Sequence, residues 1–253
     1  MPNKHPLSKE SELIEAINAM VESGVDQNRL EEILAEAKKM QGIGGSYYVS
    51  AKRVMGMVAA MRGDVTETDN QFNAAITHGG ETIETLTDYA ISLWNLREIR
   101  RNLELLDTLL ERAPDNPQLI QTAIHNHWAA YDIDGVRSLF KQAEKLKLSE
   151  DKFVSELTEK FDLDTVSNLL KEAGATWQQV CARIELTSRV LNKLGIYSPA
   201  MHSDVTDGIV SHSYLLATNL ENVMRAEDAI NEAIANEPFS PADRVIYFSC
   251  ARA

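Results

Sequence analysis

The sequence predicts a mainly α protein in which helical hairpins recur every 34 residues and lead into a small C-terminal α/β module. Three observations predict it. Large or small apolar positions in the middle of the chain echo at a fixed 34-residue interval. The segments around those positions carry the three-and-four apolar spacing of amphipathic helices. After about residue 195 the pattern changes to strand-compatible runs flanking Asp207-Gly208, a dipeptide that favours a two-residue hairpin turn.

The period is set by Gly56, Phe72 and Ala75. Their echoes are Ala90, Leu106 and Leu109, then Ile124, Phe140 and Ala143. Each triplet is expected to be a helix-helix contact, and a fixed period of this length signals stacked supersecondary units. The first unit runs through "YVSAKRVMGMVAAM", the turn "GD" and "VTETDNQFNAAITHG". The second is "IETLTDYAISLWNL", "REI" and "RRNLELLDTLLERAPD". The third is "PQLIQTAIHNHWAAY", "DID" and "GVRSLFKQAEKLKL". Gly79-Gly80 and Ala113-Pro114-Asp115 mark the ends of second helices. Arg62-Gly63-Asp64 spells an adhesion tripeptide, but its place between two amphipathic runs makes it a turn.

Four segments follow. Residues 8–46 form an atypical N-terminal hairpin, with capping from Ser8, Ser11 and Glu12 and an apolar stripe of Leu30, Ile33, Leu34 and Ala37. Residues 47–148 hold the three repeats, and 149–194 a helical extension with helices near 151–160, 164–173 and 176–194. Residues 195–253 make the α/β module. There Thr206 should pair with Ile209, Asp204 with Ser211 and His202 with Ser213. A helix follows, with Thr218 and Glu221 as a capping box and Leu220, Val223, Met224, Ile230, Ala233 and Ile234 on one side. A last strand places Val245, Ile246, Tyr247 and Phe248 for burial on both faces. The sheet is expected to pack on the 176–194 helix.

The chain of 253 residues is acidic, with 38 Asp and Glu against 25 Lys and Arg, a net charge of -13. No basic run offsets this, which argues against nucleic acid and for a cationic partner. The N-terminal stretch lacks the apolar core of a signal peptide. No window reaches the ~20 apolar residues of a membrane span. Cys181 and Cys250 make no metal pattern and suit a reducing cytoplasm.

The repeats resemble the tetratricopeptide repeat family over about residues 47–148. The first unit matches at Gly56, Gly63-Asp64, Phe72 and Ala75, the second at Ala90 and Pro114, the third at Phe140 and Ala143. Thr68, Asn102 and Val136 stand where the family prefers alanine, Gly80 stands for proline, and the early tryptophan of the motif is absent. The resemblance implies that first helices line a concave groove. The inward set would be Arg53, Met57 and Ala60, then Thr87, Ile91 and Trp94, then Gln121, His125 and Trp128. Trp94 and Trp128 are 34 apart and would anchor a peptide or helix. A basic clamp for a C-terminal carboxylate is absent, since Arg53 is the one cation of the set.

The expected role is therefore a non-catalytic adaptor or chaperone-like protein with a protein or peptide partner, no cofactor and no bound metal. The C-terminal module would add a second interaction or dimerisation surface. An alternative is an enzyme or metal site at His202, Asp204, Asp207 and His212, metal-capable side chains gathered near one hairpin. A regulator of a signalling or defence system is a further alternative. "GIGGS" at 42–46 lacks the lysine and the preceding strand of a phosphate loop. His125 and His127 point to different sides of one helix and cannot share a metal.

Overall fold

The computed structural model describes residues 8–23, 25–148, 162–196, 198, 200–206, 209–216 and 218–252. The expected helix near 151–160 and the Asp207-Gly208 turn lie outside them. The chain is mainly α with a small C-terminal α/β module, and it divides into two compact units, Met1–Leu96 and Arg97–Ala253. The division falls inside the second 34-residue repeat.

The first unit holds α1 (Lys9–Ser23), α2 (Gln27–Ile43), α3 (Ser46–Met61), α4 (Val65–Gly79) and α5 (Ile83–Asn95). Side chains satisfy the orphan backbone donors that open these helices: Asp26 caps α2, Asp64 caps α4 and Thr82 caps α5. The Gly44-Gly45 joint turns the chain through positive φ between α2 and α3. Helix α3 is the centre of the unit and packs against α1, α2, α4 and α5. Its second half is buried all round, from Gly56 to Met61. Gly56 lets α4 approach: a Cβ there would lie 2.6 Å from the Phe72 ring. Phe72 and Ala75 are fully buried, and Phe72 stacks on Tyr89 with centroids 4.7 Å apart.

The second unit holds α6 (Ile99–Arg112), α7 (Pro117–Ala129), α8 (Ile133–Lys145), α9 (Leu163–Ala173), α10 (Trp177–Lys193), β1 (Ala200–Thr206), β2 (Ile209–Leu216), α11 (Leu220–Asn236) and β3 (Ile246–Arg252). Pro117 follows the Asn116 cap at the start of α7, and Thr176 with Gln179 forms a full capping box on α10. Leu106, Leu109, Ile124 and Ala143 are buried as their echoes of the first repeat require. Phe140 is half-buried, so the third echo is weaker than expected, and Leu139 beside it takes the core position.

The repeats recur in their turns as well as in their buried positions. Gly63, Arg97 and Tyr131 are 34 apart and all have positive φ, of 74°, 60° and 60°. Each is followed by an acidic N-cap, Asp64, Glu98 or Asp132, and then by a β-branched residue opening the second helix. A left-handed conformation costs a residue with a Cβ about 1–2 kcal/mol. Arg97 and Tyr131 offset it with contacts to the C-terminal module. Arg97 Nη2 donates to the Ser198 carbonyl at 3.0 Å, and the Tyr131 hydroxyl lies 3.2 Å from His212 Nδ1. Lys147, also left-handed at φ 58° just past α8, is exposed. Lys147→Gly is therefore expected to stabilise by about 0.5–1 kcal/mol, read as a higher melting temperature. The same exchange at Tyr131 should destabilise, and two changes of the same sign would refute this account of the turns.

The sheet has the order β1-β2-β3, with β1-β2 antiparallel and β2-β3 parallel. The hairpin register is the expected one: Thr206 pairs with Ile209, Asp204 with Ser211 and His202 with Ser213. Helix α11 makes the β2-α11-β3 crossover. The sheet rests on α10 as expected, because the buried Tyr214 hydroxyl sits 2.6 Å from Thr187 Oγ1 and donates to the Ile184 carbonyl. Arg183 of α10 donates Nε and Nη2 to Asp243 at 2.7 Å and Nη2 to the Pro238 carbonyl, pinning the segment before β3. Glu185, 4% exposed at its side chain, accepts from Arg100 on α6.

Three local expectations are corrected. Helix α11 is capped by Asn219, which accepts from the Asn222 N–H, while Thr218 accepts from the Asn222 side chain. Asparagine takes the extended cap conformation one residue later than the expected box. The buried stripe of α11 is Val223, Ala226 and Ile230, and Leu220 and Met224 are exposed because the helix is covered along a narrow face. Val245 is buried but precedes the strand, and in β3 Ile246 and Phe248 are buried while Tyr247 is exposed, so one face of the strand is covered.

Candidate functional site

In the first unit, Arg53 projects from α3 and is held between two carboxylates. Its Nε donates to Asp88 Oδ2 at 2.8 Å and its Nη1 lies 3.0 Å from Glu10 Oε1. Burial raises the Asp88 carboxyl above its usual range, against the pull of the guanidinium. The one cation expected to face a partner is thus neutralised internally. Met57 is 3% exposed and Ala60 is also buried. Both were expected in a groove, and both are core instead, because α3 is covered by four helices. Thr87 and Trp94 are half-buried and Ile91 is exposed. In the second unit, Gln121 and Trp128 are half-buried and His125 is exposed, with the Trp128 ring 6.3 Å from that of Tyr131. Trp94 and Trp128 have the same intermediate exposure at equivalent positions of their repeats.

The C-terminal hairpin does not gather its histidines. Ser203 pairs with His212 and His202 with Ser213, so the two rings leave opposite faces of the sheet. His202 is exposed. His212 is fully buried against the edges of Tyr214 and Phe248, with centroids at 5.3 and 5.5 Å. Burial, helped by the Arg97 charge, lowers its pKa to about 3, so it is a neutral core residue. Asp207 and the side chain of Asp204 lie outside the described residues. Among the described residues no group of three or more His, Cys, Asp or Glu could hold a metal ion, and no helix is long and apolar enough to cross a membrane.

A polar site that the sequence did not single out lies among α6, α7 and α8. His127, in the last turn of α7, is 6% exposed. The left-handed Tyr131 folds the chain back so that Asp132 N–H donates to the His127 carbonyl at 2.9 Å. That places Asp132 Oδ2 2.7 Å from His127 Nδ1, while Asp132 Oδ1 accepts from the Gly135 N–H. Asp107 Oδ1, from α6, is 3.6 Å from Nε2. Burial opposes a charge on the imidazole, but Asp107 and Asp132 outweigh it and raise its pKa to about 9. The Asp132 carboxyl is held low despite its burial. The imidazolium therefore links three helices, and Gly135 is what admits it: a Cβ there would overlap both the Asp132 carboxylate and His127 Nδ1. The signal available in the sequence was a His and an Asp five apart across a helix end, with Gly three residues further on.

Comparison with protein-family models, curated proteins and solved structures gave no match, so the functional reading rests on geometry.

Proposed function

We propose that this chain is a non-catalytic interaction protein of the adaptor or chaperone-like kind. Its tetratricopeptide-like hairpins would hold a peptide or helix on the exposed side of their first helices. The observation that carries this reading is the 34-residue recurrence of the turn conformation, the acidic N-cap and the core, with Trp94 and Trp128 partly exposed at equivalent positions. Half-buried indoles are well suited to anchor a partner, since each is held rigid by packing yet keeps contact area to offer. The internal neutralisation of Arg53 and the net charge of -13 favour a cationic partner. The exposed Leu220, Met224 and Tyr247 give the C-terminal module apolar surface for a second contact, such as another copy of the chain. Free Cys181 and Cys250 suit a cytoplasmic setting.

Trp94→Ala with Trp128→Ala is expected to reduce partner capture about tenfold or more with helicity unchanged. Affinity capture with mass spectrometry, run on wild type and double variant in parallel, reads this out. Equal capture of the same partners by both would overturn the role given to the tryptophans.

A further inference from the structure

The cleft around His127 is about 510 Å³ and is bordered by Asp107, Glu111, His127, Asp132, Ser138 and Gln142, with Leu110, Gly135 and Leu139. His127 Nδ1 is committed to Asp132, and Nε2 makes no hydrogen bond. Asp107 at 3.6 Å is near enough to favour the imidazolium charge but too far to accept its proton. Its side chain is 63% exposed and so can turn toward solvent. Asp107 and Glu111 are one turn apart on α6 and share its face. Three carboxylates against one imidazolium leave the cleft net negative. A ligand completing it must bring an oxygen acceptor for Nε2–H and a positive charge for the rim. An anion lacks the second and a bare cation lacks the first, whereas a basic residue within a polypeptide has both.

We infer that this cleft receives a lysine or arginine of a partner polypeptide, whose backbone carbonyl accepts from His127 Nε2–H while its ammonium or guanidinium group lies between Asp107 and Glu111. A guanidinium fork matches paired carboxylate oxygens best, so arginine should bind more tightly than lysine. The inference shares with the proposed function only the premise of a polypeptide partner and uses a different surface.

The test titrates a capped Gly-Ser-Arg-Ser-Gly peptide, and its lysine and glutamine counterparts, into the full chain labelled with ¹⁵N. Imidazole resonances report on His127. The arginine and lysine peptides are expected to shift the His127 Nε2 resonance saturably, and the glutamine peptide to leave it in place. Asp107→Asn with Glu111→Gln should weaken the arginine peptide about tenfold or more. Trp94→Ala, in the first compact unit, should leave this titration unchanged, which separates failure here from failure of the tryptophan anchors. Absence of a saturable shift, an equal shift with the glutamine peptide, or indifference to the Asp107/Glu111 double variant would each overturn the inference.

Discussion

Phe72→Ala is expected to destabilise the first unit by about 3–5 kcal/mol, while Phe140→Ala, its echo two repeats on, should cost less than half as much. The difference follows from burial. Phe72 is fully buried, its ring seated where Gly56 has no side chain and stacked on Tyr89. Truncation leaves a cavity that α3 cannot fill, because α3 is fixed by four other helices. Phe140 is half-buried and has less to lose. Gly56→Ala tests the same contact from the other side. Its Cβ would press on two ring carbons at 2.6 and 2.7 Å, so a change that normally favours a helix should here cost about 1–3 kcal/mol. Denaturant midpoints followed by circular dichroism measure all three variants. Equal losses at Phe72 and Phe140 would mean that the 34-residue register does not mark the centre of the first hairpin.

The parts legible in the sequence are those governed by local periodicity. Helical spacing placed the helices of all three repeats, and Asp207-Gly208 placed the β1-β2 register residue by residue, because a one-residue slip would move every side chain to the other face. What was not legible depends on what covers an element. Met57 sits on a helical stripe that reads equally well as groove or core, and only the number of helices around α3 decides it. Leu220, Met224 and Tyr247 belong to apolar patterns wider than the surface that covers them. Arg97 and Tyr131 occupy turns where propensity alone would ask for glycine. Their side chains reach Ser198 and His212, about 80 to 100 residues away in sequence, and that distance hides the reason. The His127–Asp132 pair was hidden likewise. A continuous helix would carry a residue five positions on away from His127, and only the left-handed turn at Tyr131 brings it back.

That pair carries the second large effect. Gly135→Ala, a change from a poor to the best helix former, is expected to destabilise by about 2–4 kcal/mol instead of stabilising by up to about 1. The added Cβ would occupy space held by the Asp132 carboxylate and the His127 ring, so one of them must leave. Displacing Asp132 also removes its cap on the Gly135 N–H, worth about 1 kcal/mol, and disrupts a buried charge pair. The pH dependence identifies the cause. The His127 pKa rises from 6.5 to about 9 on folding, so the folded state binds the extra proton between those values. Its stabilisation is complete below about pH 6.5 and is lost as pH rises through 9. His212, lowered to about 3, acts in the opposite sense in a separate window, costing stability as pH falls below 6.5. Wild type should therefore lose stability between pH 6.5 and 9, and Gly135→Ala should flatten that decline and also weaken the acid-side dependence that the lowered Asp132 carboxyl contributes. In a His127→Ala background the Asp132 carboxylate can turn into the space the ring leaves, so the added methyl should cost less than in wild type, a coupling that a double-mutant cycle measures directly. If Gly135→Ala instead stabilises the protein at every pH, the imidazolium does not hold α6, α7 and α8 together.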